Sequence, residues 1–222
     1  MSSESYIRHL RALGMRVGED VKIYTPTKGV IDEQYPWLIS IGDHVRITQG
    51  VTILTHDYSW SVLKRTEKGA ILGASGKVTI GNNVFIGMHA TILRGVTIGD
   101  NVVIGSGAVV TKDCPANGIY AGNPAKRIAE LDTFTEKRKQ AQVAEAKELA
   151  TAYFDRYKKY PSEEVFHEYF YLFLSQEEAG KRPWCVEKMH QCGNYEDSVL
   201  YLKHFERPFH DFKAFMQFCF NG

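Results

Sequence analysis

Ile80-Gly-Asn-Asn-Val-Phe, Ile86-Gly-Met-His-Ala-Thr, Ile92-Leu-Arg-Gly-Val-Thr, Ile98-Gly-Asp-Asn-Val-Val and Ile104-Gly-Ser-Gly-Ala-Val, closed by Val110, form a run that divides into sixes without a slip. An aliphatic residue opens every hexapeptide. Four positions further on stand Val84, Ala90, Val96, Val102 and Ala108, always small or β-branched. A fixed short period is the signature of a repeat architecture. Its physical reading is a triangular solenoid in which each hexapeptide makes one flat face and one corner. The aliphatic residue points into the prism and the small residue fills the corner. Glycine and asparagine supply the positive φ that sharp corners need. Each coil pairs its backbone with the coils on either side, so no coil is stable alone. A β-sandwich would instead alternate at period two, in strands of unequal length.

The pattern extends upstream through Ile41-Gly-Asp-His-Val45, Ile47-Thr-Gln-Gly-Val51 and Ile53-Leu-Thr-His56, and is then lost over residues 57–77. The coils resume in register, so this stretch is an excursion from one corner, with His56 at its base. A loop of about twenty residues inside a compact repeat is usually functional. Further upstream, Pro26, Gly29 and Pro36 distort the coils, and the repeat starts weakly at Val17 and Ile23. Residues 3–13 read as an amphipathic helix with Tyr6, Ile7, Leu10 and Leu13 on one face, Ser3 as cap and Gly14 as stop.

Downstream the repeat ends near Gly122, and from Leu131 the composition turns helical. Residues 135–160 carry a stripe of Val143, Ala146, Ala150, Tyr153 and Tyr157. A second helix is expected after Ser162, with others within 184–205 and 208–220. The expected organisation is therefore an N-terminal helix (1–16), a parallel β-helix (17–130) and an aromatic-rich α-helical appendage (131–222), mainly β overall.

The 222 residues suffice for a real core, and a net charge of +1 offers no field for nucleic acid or a membrane surface. There is no apolar run of spanning length. Glu4, Arg8, His9 and Arg11 interrupt any signal-peptide core, and four cysteines without zinc-site spacing fit reduced thiols, so the cytoplasm is the expected compartment. No metal is expected.

Residues 39–127 resemble the hexapeptide-repeat acyltransferases, whose coil is left-handed. The match is nearest the branch of maltose and galactoside O-acetyltransferases, xenobiotic acetyltransferases and bacterial capsule or lipopolysaccharide O-acetyltransferases. The carrying motifs are Ile80-Gly-Asn-Asn-Val-Phe-Ile-Gly, the run from Gly95 to Asp113, and Ala121-Gly-Asn-Pro-Ala-Lys126. The resemblance implies a homotrimer with active sites between neighbouring prisms. It also implies acetyl-CoA as acyl donor and a sugar hydroxyl as acceptor, with surface-polysaccharide synthesis as the expected setting.

By the same resemblance His56 is the general base. A hydroxyl is a poor nucleophile at neutral pH, and an imidazole that titrates near ~6.5 can take its proton. Asp57 is a candidate to orient the ring. The Met88 backbone N–H matches the oxyanion donor. The Ser106 backbone matches a pantetheine contact, Thr111 and Lys112 lie by motif near the coenzyme phosphates, and Lys126 and Arg127 match the 3′-phosphate site. Phe85 stands where many relatives have tryptophan. The asparagine that often holds the acceptor has no counterpart between Thr27 and Tyr35, which leaves Asp32 or Glu33 for that task. Cys114 lies away from the loop, so direct transfer without an acyl-enzyme is expected. A xenobiotic acceptor, an amino-sugar acceptor and a non-enzymatic trimeric scaffold are the alternatives. The helical region is a candidate dock for a glycosyltransferase.

Overall fold

The anchors of the repeat stack on one another at intervals of eighteen residues. In a computed structural model describing residues 2–221, Val84 pairs with Val102, Thr91 with Val109 and Thr79 with Thr97, all in parallel. Three parallel ladders result, one per prism face. The first contains Arg16–Val17, Ile39–Ile41, Val78–Ile80 and Thr97–Ile98. The second contains Lys22–Ile23, Arg46–Ile47, Val84–Ile86, Val102–Ile104 and Gly118–Ala121, and is closed by an antiparallel strand, Lys126–Glu130. The third contains Val30–Ile31, Thr52–Ile53, Thr91–Ile92 and Val109–Val110.

The interior is the column of anchors. Ile41, Ile47, Ile53, Ile80, Ile86, Ile92, Ile98 and Ile104 are buried, as are the small residues four positions on, from Val45 to Ala108. Each buried aliphatic side chain contributes roughly 1.5–3 kcal/mol relative to exposure. At the corners the left-handed residues include Asn83, Gly95, Asn101 and Gly107, as expected, and also His44 and His89. Gly81 and Gly87 are needed for another reason. A Cβ on Gly87 would lie 2.5 Å from the Ser106 amide nitrogen, and one on Gly81 would lie 2.4 Å from Asp100 Oδ1. At one corner the asparagines form a ladder, Asn83 donating to Asn101 at 2.8 Å and Asn101 to Asn117 at 3.0 Å.

Ser40 pairs with Thr79, thirty-nine positions on, which is twenty-one more than one regular coil. The surplus is the excursion. It leaves and returns as a short antiparallel pair, His56 opposite Ser75 and Asp57 opposite Ala74. Helix α1 (Ser3–Ala12) buries Tyr6, Ile7 and Leu10, and helix α2 (Trp60–Thr66) lies within the excursion. The α1 cap is Ser2, not Ser3: Ser2 Oγ accepts the Ser5 amide, while Ser3 is buried and its Oγ accepts from the Ile23 amide at 2.9 Å.

The chain divides into two compact units, Met1–Thr135 and Glu136–Gly222. The division falls within α3 (Leu131–Tyr157). The remaining helices are α4 (Gln176–Gly180), α5 (Pro183–His190), α6 (Tyr195–His204) and α7 (Phe212–Asn221). The α-helix expected after Ser162 is instead two 3₁₀ turns, Glu163–Phe166 and Phe170–Leu172. The segment is apolar on more than one side, and Phe166, Phe170, Leu172 and Phe173 all turn inward. The run over 184–205 breaks where Cys192 takes φ 69°. The aromatics of this unit close on themselves: Phe166, Phe173 and Phe215 are fully buried, with ring centroids of the last two 5.1 Å apart.

Candidate active site

His56 leaves the third face where the excursion begins, and a buried carboxylate waits one coil below it. Asp32 follows Val30–Ile31, which stacks on Thr52–Ile53. This brings Asp32 Oδ2 to 2.6 Å from His56 Nδ1. Asp32 is 6% exposed. Its oxygens also accept from the Thr55 amide at 2.9 Å, the Thr55 hydroxyl at 2.5 Å and the Gln34 amide at 3.0 Å. Burial pushes the Asp32 carboxyl upward, but the donors from Thr55, Gln34 and His56 outweigh it and hold the group below the ordinary carboxylate value. The carboxylate therefore stays charged and fixes the ring. His56 Nε2 has no partner among the described residues.

Asp57, the residue considered for that task, points elsewhere. It accepts from Arg94 Nε at 2.7 Å and from the Ser59 amide at 2.9 Å. Donors from Ser59 and Arg94 hold its carboxyl far below the usual range. Asp32 in turn is not free for an acceptor, because its lone pairs are taken inside the protein. Glu33 is tied to α1, accepting from Tyr6 Oη at 3.4 Å and lying 3.1 Å from His9 Nε2.

Two tyrosine rings stand against the imidazole. Tyr35 and Tyr58 meet it edge-on at 5.4 and 5.5 Å, and beyond them stand Trp37 and Trp60. Sequence reading singled out neither this wall nor the Asp32 contact. The Asp32–His56 register was hidden because the first coils carry irregular insertions.

The other expected residues fall into two groups. Met88 and Ser106 stack at the corner after the second face, Gly107 donating to the Met88 carbonyl at 2.8 Å. The Met88 amide meets no acceptor among the described residues. His56, Thr111 and Lys112 lie at the corner after the third face. One chain thus holds His56 and Met88 at different corners of its prism. Lys112 and Lys126 are exposed, with no side-chain partner among the described residues. Arg127 is engaged: it donates to the carbonyls of Ala116 and Asn117, pairs with Glu130 at 2.5 Å and lies over the Tyr120 ring. Its guanidinium is held by the protein, so Lys126 is the freer cation of the expected pair. Phe85 is 43% exposed on the second face, between Arg46 and Val103. His44 lies 2.9 Å from Asp20, away from the excursion. No cluster of metal-binding side chains occurs among the described residues.

Residues 77–112 match the family model of the bacterial transferase hexapeptide, six repeats. Over 128 residues the chain is 44% identical to Protein CapG of Staphylococcus aureus, covering 58% of this chain and 73% of that one. The chain belongs to the bacterial hexapeptide-repeat transferases. The transferase is also 44% identical over 98 residues to galactoside O-acetyltransferase of Escherichia coli K12, which covers 43% of its own length and 46% of that relative. A solved galactoside acetyltransferase in complex with coenzyme A is 34% identical, spanning 53% of this chain and 55% of that one at a TM-score of 0.40. The transferase therefore spans about half the length of these last two relatives.

Proposed function

We propose that this transferase is an acetyl-CoA-dependent O-acetyltransferase acting on a sugar hydroxyl in surface-polysaccharide synthesis, with His56 as base. The observation that carries the reading is the Asp32–His56 pair. A charged carboxylate on Nδ1 keeps the proton there and leaves Nε2 as the basic nitrogen. Similarity to relatives named galactoside O-acetyltransferase supports the donor and the acceptor class.

In this mechanism His56 Nε2 takes the acceptor's hydroxyl proton as the oxygen attacks the thioester carbonyl. Asp32 stabilises the imidazolium that forms. The Met88 N–H donates to the oxygen that gains charge. As the carbon–sulfur bond breaks, His56 returns the proton to the departing thiolate, leaving an acetyl ester and a free thiol. Lys112 and Lys126 suit the coenzyme phosphates, with Ser106 and Thr111 lining the groove and Arg127 shaping its end. Burial pushes the Cys114 thiol up to about 11, which disfavours an acyl-cysteine and supports direct transfer. Because His56 and Met88 occupy different corners, a complete site takes one residue from each of two prisms, as in a left-handed β-helical homotrimer. No helix among the described residues is long and apolar enough to cross a membrane.

Calorimetric titration with acetyl-CoA tests the reading. One site per chain is expected, weakened in Lys112→Ala and Lys126→Ala. His56→Ala is expected to bind acetyl-CoA normally and to transfer about 10²–10⁴-fold more slowly. Absence of acetyl-CoA binding would remove the reading.

A further inference from the structure

Trp37, Tyr35, His56, Tyr58 and Trp60 form one continuous ladder of rings, each 5.4–5.9 Å from the next, with the imidazole at its centre. The two arms have different origins. Tyr35 caps the 3₁₀ turn Pro36–Leu38 and Trp37 lies within it, after the irregular first coil, and Tyr58 and Trp60 come from the start of the excursion. Trp37 is 66% exposed and Tyr58 61%. Tyr35 and Trp60 are half-buried; nothing in the fold of the chain requires Trp37 and Tyr58 to face water, and aromatics gathered around one unpartnered nitrogen mark a binding surface.

We propose that the ladder is an extended acceptor cleft with saccharide subsites on both sides of His56, so that the transferase acetylates an internal sugar of a chain. The inference rests on the sugar-acceptor reading above and deepens it. One face of a pyranose presents C–H bonds whose hydrogens are slightly positive, and an aromatic face is negative at its centre. Such a face stacks on Trp or Tyr without needing a charged partner. The arms carry no ionised group in the ladder itself, which suits neutral sugar faces better than phosphate. A free monosaccharide would touch only the rings next to His56. A chain running across His56 reaches Trp37 at one end and Trp60 at the other, and the base then meets a hydroxyl between them. Asp57 and Arg94, paired beside the excursion, offer polar groups along the same edge.

The test is acetylation of an array of neutral glycans from one to six sugars with radiolabelled acetyl-CoA, run on wild type, Trp37→Ala, Trp60→Ala and the conservative Trp37→Phe and Trp60→Phe. Label is expected on internal sugars of the longer glycans. Their kcat/KM should fall about tenfold through KM in either alanine variant and recover in the phenylalanine variants, with the acetyl-CoA Kd unchanged. Equal labelling of monosaccharides and long glycans, or alanine variants that match wild type on long glycans, would overturn the cleft and leave the O-acetyltransferase reading standing. Acetyl-CoA binding with no glycan labelled would overturn both the cleft and the sugar acceptor, and no acetyl-CoA binding would remove the transferase mechanism itself. Loss of the trimer in the alanine variants, seen by light scattering, would assign the rings to contact between copies of the chain and also overturn the cleft.

Discussion

At the residue scale, the site turns on a carboxylate placed where water does not reach. Asp32 has four donors around it, and the ionised group, an acceptor at both oxygens, serves them better than the protonated one. Its folded-state pKa is lowered, so its contribution to stability is present above the ordinary value of 3.8 and is lost as pH falls through the folded value. Asp32→Asn keeps the shape, but its NH₂ end cannot accept. It is expected to lower stability at neutral pH by about 1–3 kcal/mol and to flatten the acid limb of a pH–Tm curve below pH ~4. Transfer should fall while acetyl-CoA affinity holds, because the ring is no longer fixed in one tautomer. Asp57→Asn is the contrasting variant: Ser59 and Arg94 hold its carboxyl below the ordinary value too, so the acid limb should also flatten, but less, because that pair is half-exposed and screened by water, and the His56 ring stays fixed by Asp32.

At the scale of the element, the hexapeptide repeat is held together by close backbone approach as much as by its apolar column. Gly87 and Gly105 follow equivalent anchors, yet their surroundings differ. A Cβ on Gly87 would meet backbone nitrogen at 2.5 Å, whereas on Gly105 the nearest atom is the Ala121 Cβ at 3.1 Å. Gly87→Ala must shift a coil and is expected to cost about 1–3 kcal/mol, with Gly105→Ala milder; thermal denaturation of the two side by side checks the order. Since Met88 follows Gly87, the first variant should also lose transfer beyond its loss of stability. The repeat was legible in the sequence because its period recurs without slip from Ile80 to Val110. The 3₁₀ turns around Phe166 and Phe170 were not, because a segment buried on several sides has no period to read.

At the scale of the whole molecule, the separation of His56 from Met88 onto different corners has a measurable consequence. Met88→Pro deletes the amide hydrogen, and His56→Ala deletes the base. If each site joins one corner of one prism to another corner of its neighbour, randomly mixed trimers of the two inactive variants regain about a quarter of wild-type activity. If each chain carries a complete site, unfolding and refolding the mixture restores none. The helical unit has its own core of Phe166, Phe173 and Phe215 within residues 136–222, while Tyr157, Tyr160, Tyr201 and Phe218 stay exposed. Composition revealed an aromatic-rich region; only the packed structure revealed which of its rings form a core.

The sequence by itself determined the solenoid, the excursion and the position of His56 at its root. Period six is a local property, set by which side chains point inward and where the chain must turn. Tertiary structure alone decided that Asp32 grips His56, that Asp57 belongs to Arg94, and that four aromatic rings gather beside the imidazole. These contacts join residues brought together by coil stacking across irregular insertions. Their register depends on how the distorted first coils settle against the regular ones, which no single-chain periodicity encodes.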